Sequence, residues 1–371
     1  MNTSDHNSKK ILIVCTSLNM GGAENQAVWL ANTLNKKGYK VFFISLKQKG
    51  ILNEKLDSGI AIRNFKIANS RNKITKLVNT FSAFLQTIKL IRKNRIRKAV
   101  SFLFHANVFV KIISIFLFFK LDHIVAVRND RLSKRDSNSS KIRNLIFKKF
   151  VINKSTFIVF NSQAGIKKFK LDKKYNQKVI FNAPLNSPQI NHEKNDKFIY
   201  IGRLDELKNT PELLKAINIL KKSGIIVNLE IYGSGPDLSN LKKYVSNNKL
   251  ESQIEFKGLN LLISNNINRY KALLLTSTHE GFPNVIIEAM NSKTICISTK
   301  VGDVEYLLSN NRGILINGFD SHSISKSIEL FLNLSSNKLE EIQNKAESFV
   351  KSELNEEIIF NQWKEVIYPD E

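Results

Sequence analysis

The chain has 371 residues, 42% of them hydrophobic, and a formal net charge of +25; it is too long for one ordinary core and apolar enough to bury two, so two domains are expected. Its polar start, MNTSDHNSKK, and the short apolar run ILIVCTSL after it do not make a secretory signal, and the longest apolar stretch, VFVKIISIFLFFKLDHIVAV, is cut by Lys111, Lys120 and Asp122 to eight unbroken residues, Ile112 to Phe119, less than half a bilayer crossing. The charge is uneven: residues 1–182 hold 36 Lys and Arg against 8 Asp and Glu (+28), residues 183–371 hold 21 against 24 (−3), so the first half implies an anionic partner.

In chain order, KILIVCTSL, KVFFISL, IAIRNFKI, KAVSFLF, HIVAVRN, TFIVFNS and KVIFN read as strands. AENQAVWLANTLNKKG and ITKLVNTFSAFLQTIKLIRKN between them read as helices. This alternation is the rhythm of a parallel sheet covered by helices. A polar segment with two of the six prolines, 183–196, reads as a linker after a first domain, 1–182. The rhythm restarts in a second domain, 197–350, with KFIYIGRLD, TPELLKAINILKKSG, VNLEIYGSG, QIEFKG, ALLLTST, TICIST and RGILI. Residues 351–371 form a terminal helix, for which packing back on the first domain is one option. Cys15 and Cys296 fall in strands far apart and read as buried cytosolic thiols, with no metal-ligand or disulfide spacing. Ligands of such sheets bind beyond the carboxyl ends of the strands, which is where the site is expected.

Several motifs fall at those ends. In STHEGFPNVIIEAM, Glu280 and Glu288 stand eight positions apart. Pro283 is expected at the first position of a helix, leaving Glu280 in the turn and Glu288 inside on the face of Asn284, while Ile286, Ala289 and Met290 are buried. In YIGRLDELKNTPELL, Arg203 and Lys208 lie between a strand and a helix expected to start with Thr210 as cap and Pro211 first; two cations at a helix start suit a diphosphate. Gly21 and Gly22 follow the first strand and allow a close backbone approach to a ligand. His105 and Arg128 follow two later strands. Each of these features also has a purely structural reading: a helix start, a solvated charge or a tight turn. Neither SLNMGGAENQ nor YGSGPDL carries a dinucleotide fingerprint, and no Gly-x-Ser-x-Gly, His-Glu-x-x-His or Asp-x-Asp occurs.

Taken together, EGFPNVIIEAM, GRLDELKN and GGAE resemble the Glu-x7-Glu motif, the diphosphate-binding Arg and Lys, and the first-domain glycine loop of family 4 retaining glycosyltransferases of the GT-B fold. SFLFHAN and VRND resemble bacterial members that extend lipid-linked oligosaccharides or polysaccharide repeat units. Two departures stand out: VGDVEYLL keeps Gly302 and Glu305 but has Asp303 where a second glycine is common, and Ala126 and Val127 replace a common Ser-Glu before Arg128.

The resemblance implies an α/β fold of two Rossmann-like domains facing across a cleft, the first on the acceptor side and the second holding the nucleotide sugar. It implies Glu280, Arg203, Lys208 and His105 as catalytic residues and Gly21, Gly22, Gly281, Phe282, Asn284 and Glu288 as donor contacts. Glu288 would accept from ribose hydroxyls, Glu280 would orient the sugar, and Arg203 and Lys208 would stabilise the departing diphosphate, with no metal and no cofactor. The expected enzyme is a hexosyl- or N-acetylhexosaminyltransferase on the cytoplasmic face of the cell membrane. It would take a nucleotide sugar, UDP being the commonest in the subgroup, and a polyprenyl-diphosphate-linked saccharide. Separately from the resemblance, the +28 balance of residues 1–182, with the run RKNRIRK (Arg92 to Lys98) and the apolar IISIFLFF, predicts that the first domain docks on anionic membrane. The competing readings are a soluble α-glucan or sucrose-type transferase, disfavoured by the basic first domain, and a basic nucleic-acid-binding protein, for which no motif or aromatic ladder is present.

Overall fold

The structure is a computed structural model that describes residues 9–19, 21–47, 50–67, 73–118, 120–128, 145–152, 157–169, 171, 175–185, 194–260 and 262–369. Residues 1–8, Phe119, the Asn129 and Asp130 of VRND, and 186–193 of the expected linker lie outside them. The chain divides into two compact units, Met1–Phe181 with Ile359–Glu371, and Asn182–Ile358.

The first unit is built on strands β1 (Lys10–Cys15), β2 (Lys40–Ser45), β3 (Ala61–Asn64), β4 (Lys98–Phe102), β5 (Asp122–Val127), β6 (Phe157–Phe160) and β7 (Gln177–Val179). They form one sheet in the order β3-β2-β1-β4-β5-β6-β7, with parallel pairing throughout. Helices α1 (Gly22–Lys36), α2 (Lys73–Asn94), α3 (Phe104–Phe116) and α4 (Gln163–Phe169) connect them. The strands are near-continuous apolar runs because the helices cover the sheet: Ile11 to Cys15 are fully buried, as is the α1 row Ala27, Leu30, Ala31 and Leu34. Lys111, which interrupts the apolar stretch in sequence, sits buried on α3, and burial pulls its pKa down to about 8.

The second unit holds β8 (Lys197–Ile201), β9 (Asn228–Tyr232), β10 (Ile254–Gly258), β11 (Ala272–Leu275), β12 (Ile295–Thr299) and β13 (Ile314–Ile316), ordered β10-β9-β8-β11-β12-β13 and parallel. Its helices are α5 (Thr210–Lys222), α6 (Leu238–Asn247), α7 (Asn284–Asn291), α8 (Val304–Leu308), α9 (Ser321–Leu332) and α10 (Ser336–Glu353). The last helix, α11 (Glu356–Ile367), carries the chain back into the first unit from Ile359 on. There Trp363 is 1% exposed, with the Phe102 ring 6.1 Å away and the Arg128 guanidinium 5.1 Å from its ring.

Two helix starts differ from expectation by one residue. Thr210 is the first residue of α5 rather than its cap; it is fully buried and its hydroxyl donates to the Tyr200 hydroxyl at 3.3 Å. The cap is Asn209, in the left-handed region at φ 54°, which Asn tolerates better than most residues. Likewise Pro283, at φ −77° and ψ 111°, caps α7 and Asn284 is its first residue, since the ring constrains φ but leaves an extended ψ open.

Candidate active site

Each sheet reverses its strand order once, between β1 and β4 in the first unit and between β8 and β11 in the second. Chains leaving two such strands diverge to opposite faces and open a crevice at their carboxyl ends. Arg203 and Lys208 follow β8, and Glu280 follows β11, so they flank the crevice of the second unit. Gly21 and Gly22 follow β1 and His105 follows β4, flanking the crevice of the first.

In the second unit the two loops are tied together. Thr278 N–H donates to the Leu207 carbonyl at 2.9 Å and the Thr276 hydroxyl to the Lys208 carbonyl at 3.2 Å. The Lys208 ammonium donates to Oε1 of Glu280, which also accepts from the Ser277 hydroxyl at 2.7 Å. Both charged side chains are mostly buried, 18% and 14% exposed, where a charge-assisted pair is stronger than at a surface. Arg203, 54% exposed, is ion-paired with Asp205. Ser277 and Asp205 escaped the sequence reading: both are ordinary loop residues whose partners only the folded loops reveal.

The turn into α7 is held by Gly302. Its φ is +55°, and a Cβ there would meet the Glu280 and Gly281 carbonyl oxygens at 2.3 Å, while the neighbouring Asp303 N–H donates to the Gly281 carbonyl at 2.9 Å. Only glycine fits at 302. Asp303, at φ −94°, occupies ordinary backbone space, so the replacement of a second glycine imposes no backbone cost. On α7, Ile286, Ala289 and Met290 are fully buried as expected and Glu288 is 8% exposed, while Phe282 in the preceding turn is 5% exposed. Glu288 is therefore no ordinary solvated carboxylate. One turn earlier, Asn284 Oδ1 accepts from Asn182 Nδ2 at 2.5 Å.

In the first unit, Gly21 caps α1 in an extended conformation and Gly22 begins the helix. Glu24 in the first turn accepts from the Ser17 hydroxyl at 3.1 Å, and burial raises its pKa. His105 is exposed in the first turn of α3. The preceding Leu103 holds φ 74° and ψ 154°, a region nearly reserved for glycine and a recurrent mark of functional turns. The Ala106 N–H that follows His105 donates to the Thr16 hydroxyl at 3.3 Å, tying the β4 turn to the β1 loop. Arg128, 7% exposed, donates to the Ile180 carbonyl at 3.2 Å and packs against both the Phe102 and the Trp363 ring. It is engaged in holding α11.

Among the described residues no group of three or more His, Cys, Asp or Glu side chains could hold a metal ion. Nor is any described helix long and apolar enough to cross a membrane.

Comparison with known proteins gives the arrangement a context. The family profile described as "Glycosyl transferases group 1" matches residues 182–349. The Campylobacter jejuni "GalNAc-alpha-(1->4)-GalNAc-alpha-(1->3)-diNAcBac-PP-undecaprenol alpha-1,4-N-acetyl-D-galactosaminyltransferase" is 26% identical over 365 residues, covering 94% of this chain and 96% of that protein. The Staphylococcus aureus "Capsular polysaccharide biosynthesis glycosyltransferase CapH" is 26% identical over 79% of this chain and 81% of its own length. Among solved structures, Anabaena HepE in complex with UDP-glucose superposes with a TM-score of 0.77 at 18% identity, over 97% of this chain and 99% of that one. At that identity the likeness shows the fold alone: two parallel-sheet α/β domains of the GT-B type.

Proposed function

We infer from a chain that belongs, through residues 182–349, to the glycosyl transferases group 1 family that this glycosyltransferase moves a sugar from a UDP-sugar to a polyprenyl-diphosphate-linked saccharide with retention of anomeric configuration. The observation that carries the donor side is the Lys208–Glu280 pair, with Arg203 beside it, at the strand-order reversal of the second unit. Lys208 and Arg203 take the diphosphate, aided by the start of α5. Glu280 orients the sugar in the turn whose backbone Gly281 and Phe282 provide, Glu288 accepts from the ribose hydroxyls, and Asn284 lines the same face of α7. In the first unit, Gly21, Gly22 and His105 flank that unit's own crevice and are its candidates for sugar contacts.

In the step itself the acceptor hydroxyl attacks C1 from the face the leaving group departs. The new C1–O bond forms as the C1–O bond to phosphate breaks, and the hydroxyl proton passes to the departing phosphate oxygen. The protein supplies position and positive field, and no covalent nucleophile is assigned. The field is assigned to the two cations and the helix start, so full activity in EDTA is expected; loss that Mg²⁺ restores would contradict that assignment.

The acceptor assignment is supported by the Campylobacter relative, named for an undecaprenyl-diphosphate-linked substrate, and by the +28 charge of residues 1–182. A lipid-linked acceptor places the enzyme on the cytoplasmic face of the membrane. The test is a thermal-shift panel of nucleotide sugars followed by transfer to a lipid-linked acceptor, with the product's anomeric configuration read by NMR. Stabilisation by a UDP-sugar and an α-linked product from an α-donor are expected. Stabilisation by another nucleotide alone, or an inverted product, would overturn the reading.

A further inference from the structure

Helix α2 is apolar on two sides. Its inner side is spent on the core: Ala83, Thr87 and Ile91 are buried, with Phe84, Ile88 and Leu90 packed against the same cluster. On the outer side Ile74, Leu77, Val78, Phe81 and Leu85 follow one another at spacings of three, one, three and four, which puts them on a single row. They are 72, 72, 60, 61 and 50% exposed. The row runs on as Lys89 and Arg92, both exposed. Thus one face of the helix is greasy in its first half and cationic in its second. The end of α3 extends the greasy part: the Phe116 ring meets the Phe84 ring edge-on at 5.0 Å, and Phe116 and Phe118 are 58 and 83% exposed. A contiguous apolar surface of this kind calls for an occupant.

The charge of the region says which. Residues 58–121 contain thirteen Lys and Arg and no Asp or Glu. Beside the apolar row a cavity of about 510 Å³ is lined by Arg63, Lys66, Asn79, Ser82 and Gln86 among others, cations and amides suited to phosphate oxygens. A second copy of the chain meeting this face to face would bring the same cations together with no carboxylate from this region to oppose them. An anionic bilayer satisfies both halves, with acyl chains for the apolar row and headgroups for the cations, whose long stems let them reach outward from a submerged backbone.

We propose that the outer face of α2 docks on anionic membrane, its first three turns seated among the acyl chains and its last turns, with the Arg63–Lys66 cavity, on the lipid phosphates. The proposal deepens the lipid-linked acceptor reading, on which it rests for its purpose, by naming the segment that would bring the first unit to such a substrate.

The test uses the full chain with two vesicle types, phosphatidylcholine alone and phosphatidylcholine with about one quarter phosphatidylglycerol. The two native tryptophans, Trp29 and Trp363, are buried, so a Phe81→Trp variant reports its own surroundings. Its emission is expected to shift to the blue on anionic vesicles only. A Leu77→Asp, Phe81→Asp variant should bind at least tenfold more weakly. A Lys89→Gln, Arg92→Gln, Lys93→Gln variant should bind weakly and lose the salt dependence that screening gives the wild type. Both should keep wild-type melting curves and wild-type transfer to a detergent-dispersed acceptor, while transfer to a vesicle-embedded acceptor falls. A folded Asp variant that sediments like wild type, or unmoved Trp emission on anionic vesicles, would overturn the proposal. So would a wild-type dimer that the Asp variant dissolves without any vesicle binding. If vesicle binding depends on α2 but only free sugars accept transfer, the acceptor reading fails and the docking surface stands.

Discussion

Lys208 and Ser277 both donate to Oε1 of Glu280, so neither member of the Lys208–Glu280 pair can be changed without loosening the other. Lys208→Ala and Arg203→Ala should each lower kcat, and losing one charged contact to the leaving group, about 3 kcal/mol, corresponds to about a hundredfold. Because the pair shares its partner, Lys208→Ala combined with Glu280→Gln should lose less than the product of the single losses; strict multiplicativity in steady-state kinetics would separate their roles. Glu288 is eight residues further on, buried on α7. Glu288→Gln should raise the Kd for UDP in calorimetry with kcat less affected, whereas Glu280→Gln should slow transfer with UDP affinity kept; equal loss of affinity in both would contradict the division. The two glutamates were legible because a fixed spacing and a proline place them without knowledge of the fold. Asp205, Ser277 and the demand for glycine at 302 were not, since each depends on which loop carbonyl or carboxylate the folded chain brings alongside.

At the scale of elements, alternation of apolar runs with amphipathic stretches was enough to read the strands, whereas helix starts slipped by a residue, at Thr210 where tertiary burial competed with capping and at Pro283 where the ring left an extended ψ open. The tight pairing of β8 and β9 shows another thing that periodicity does not reveal. Glu230 on β9 is 7% exposed. Burial would raise its pKa, but hydrogen bonds from Lys197 at 2.6 Å, Tyr270 at 2.6 Å and Tyr232 at 2.9 Å outweigh it and hold the group at about 2. A folded pKa below the unfolded value of about 4.3 contributes stability that is present above that value and is lost as pH falls towards about 2. Glu230→Gln should cost on the order of 2 kcal/mol in urea unfolding near neutral pH, with the gap to wild type closing between about pH 4 and pH 2; a constant gap would refute the assignment. Lys111 on α3 has the opposite sense. Burial lowers its pKa to about 8, below about 10.4 in the unfolded chain, so stability rises as pH climbs through that interval. Lys111→Met should raise Tm more at pH 7 than at pH 10, and an equal gain at both would show that packing rather than charge is responsible.

For the molecule as a whole, the chain's return matters most: the first unit is completed by its last segment, Ile359–Glu371. That segment buries Ile359, Phe360, Trp363 and Ile367 and places Tyr368 against Tyr39 with ring centroids 5.0 Å apart, while Lys178 and Glu365 form an ion pair at 2.6 Å. The Arg128 guanidinium packs against both rings, 5.5 Å from that of Phe102 and 5.1 Å from that of Trp363, so the strand-end cation whose role the sequence left open is a clamp on α11. No local pattern reveals this, because Arg128 and Trp363 are more than two hundred positions apart. Trp363→Ala should therefore cost about 3–5 kcal/mol, and all of it in one unit, since two units with separate cores need not unfold as one. Hydrogen exchange followed by mass spectrometry is the direct measurement. Peptides from β4 and β5 should lose protection while those from β8, β9 and β11 keep it, and UDP should still protect the latter. Equal loss across both sheets would mean that the two units unfold together and that α11 stabilises the chain as one cooperative body.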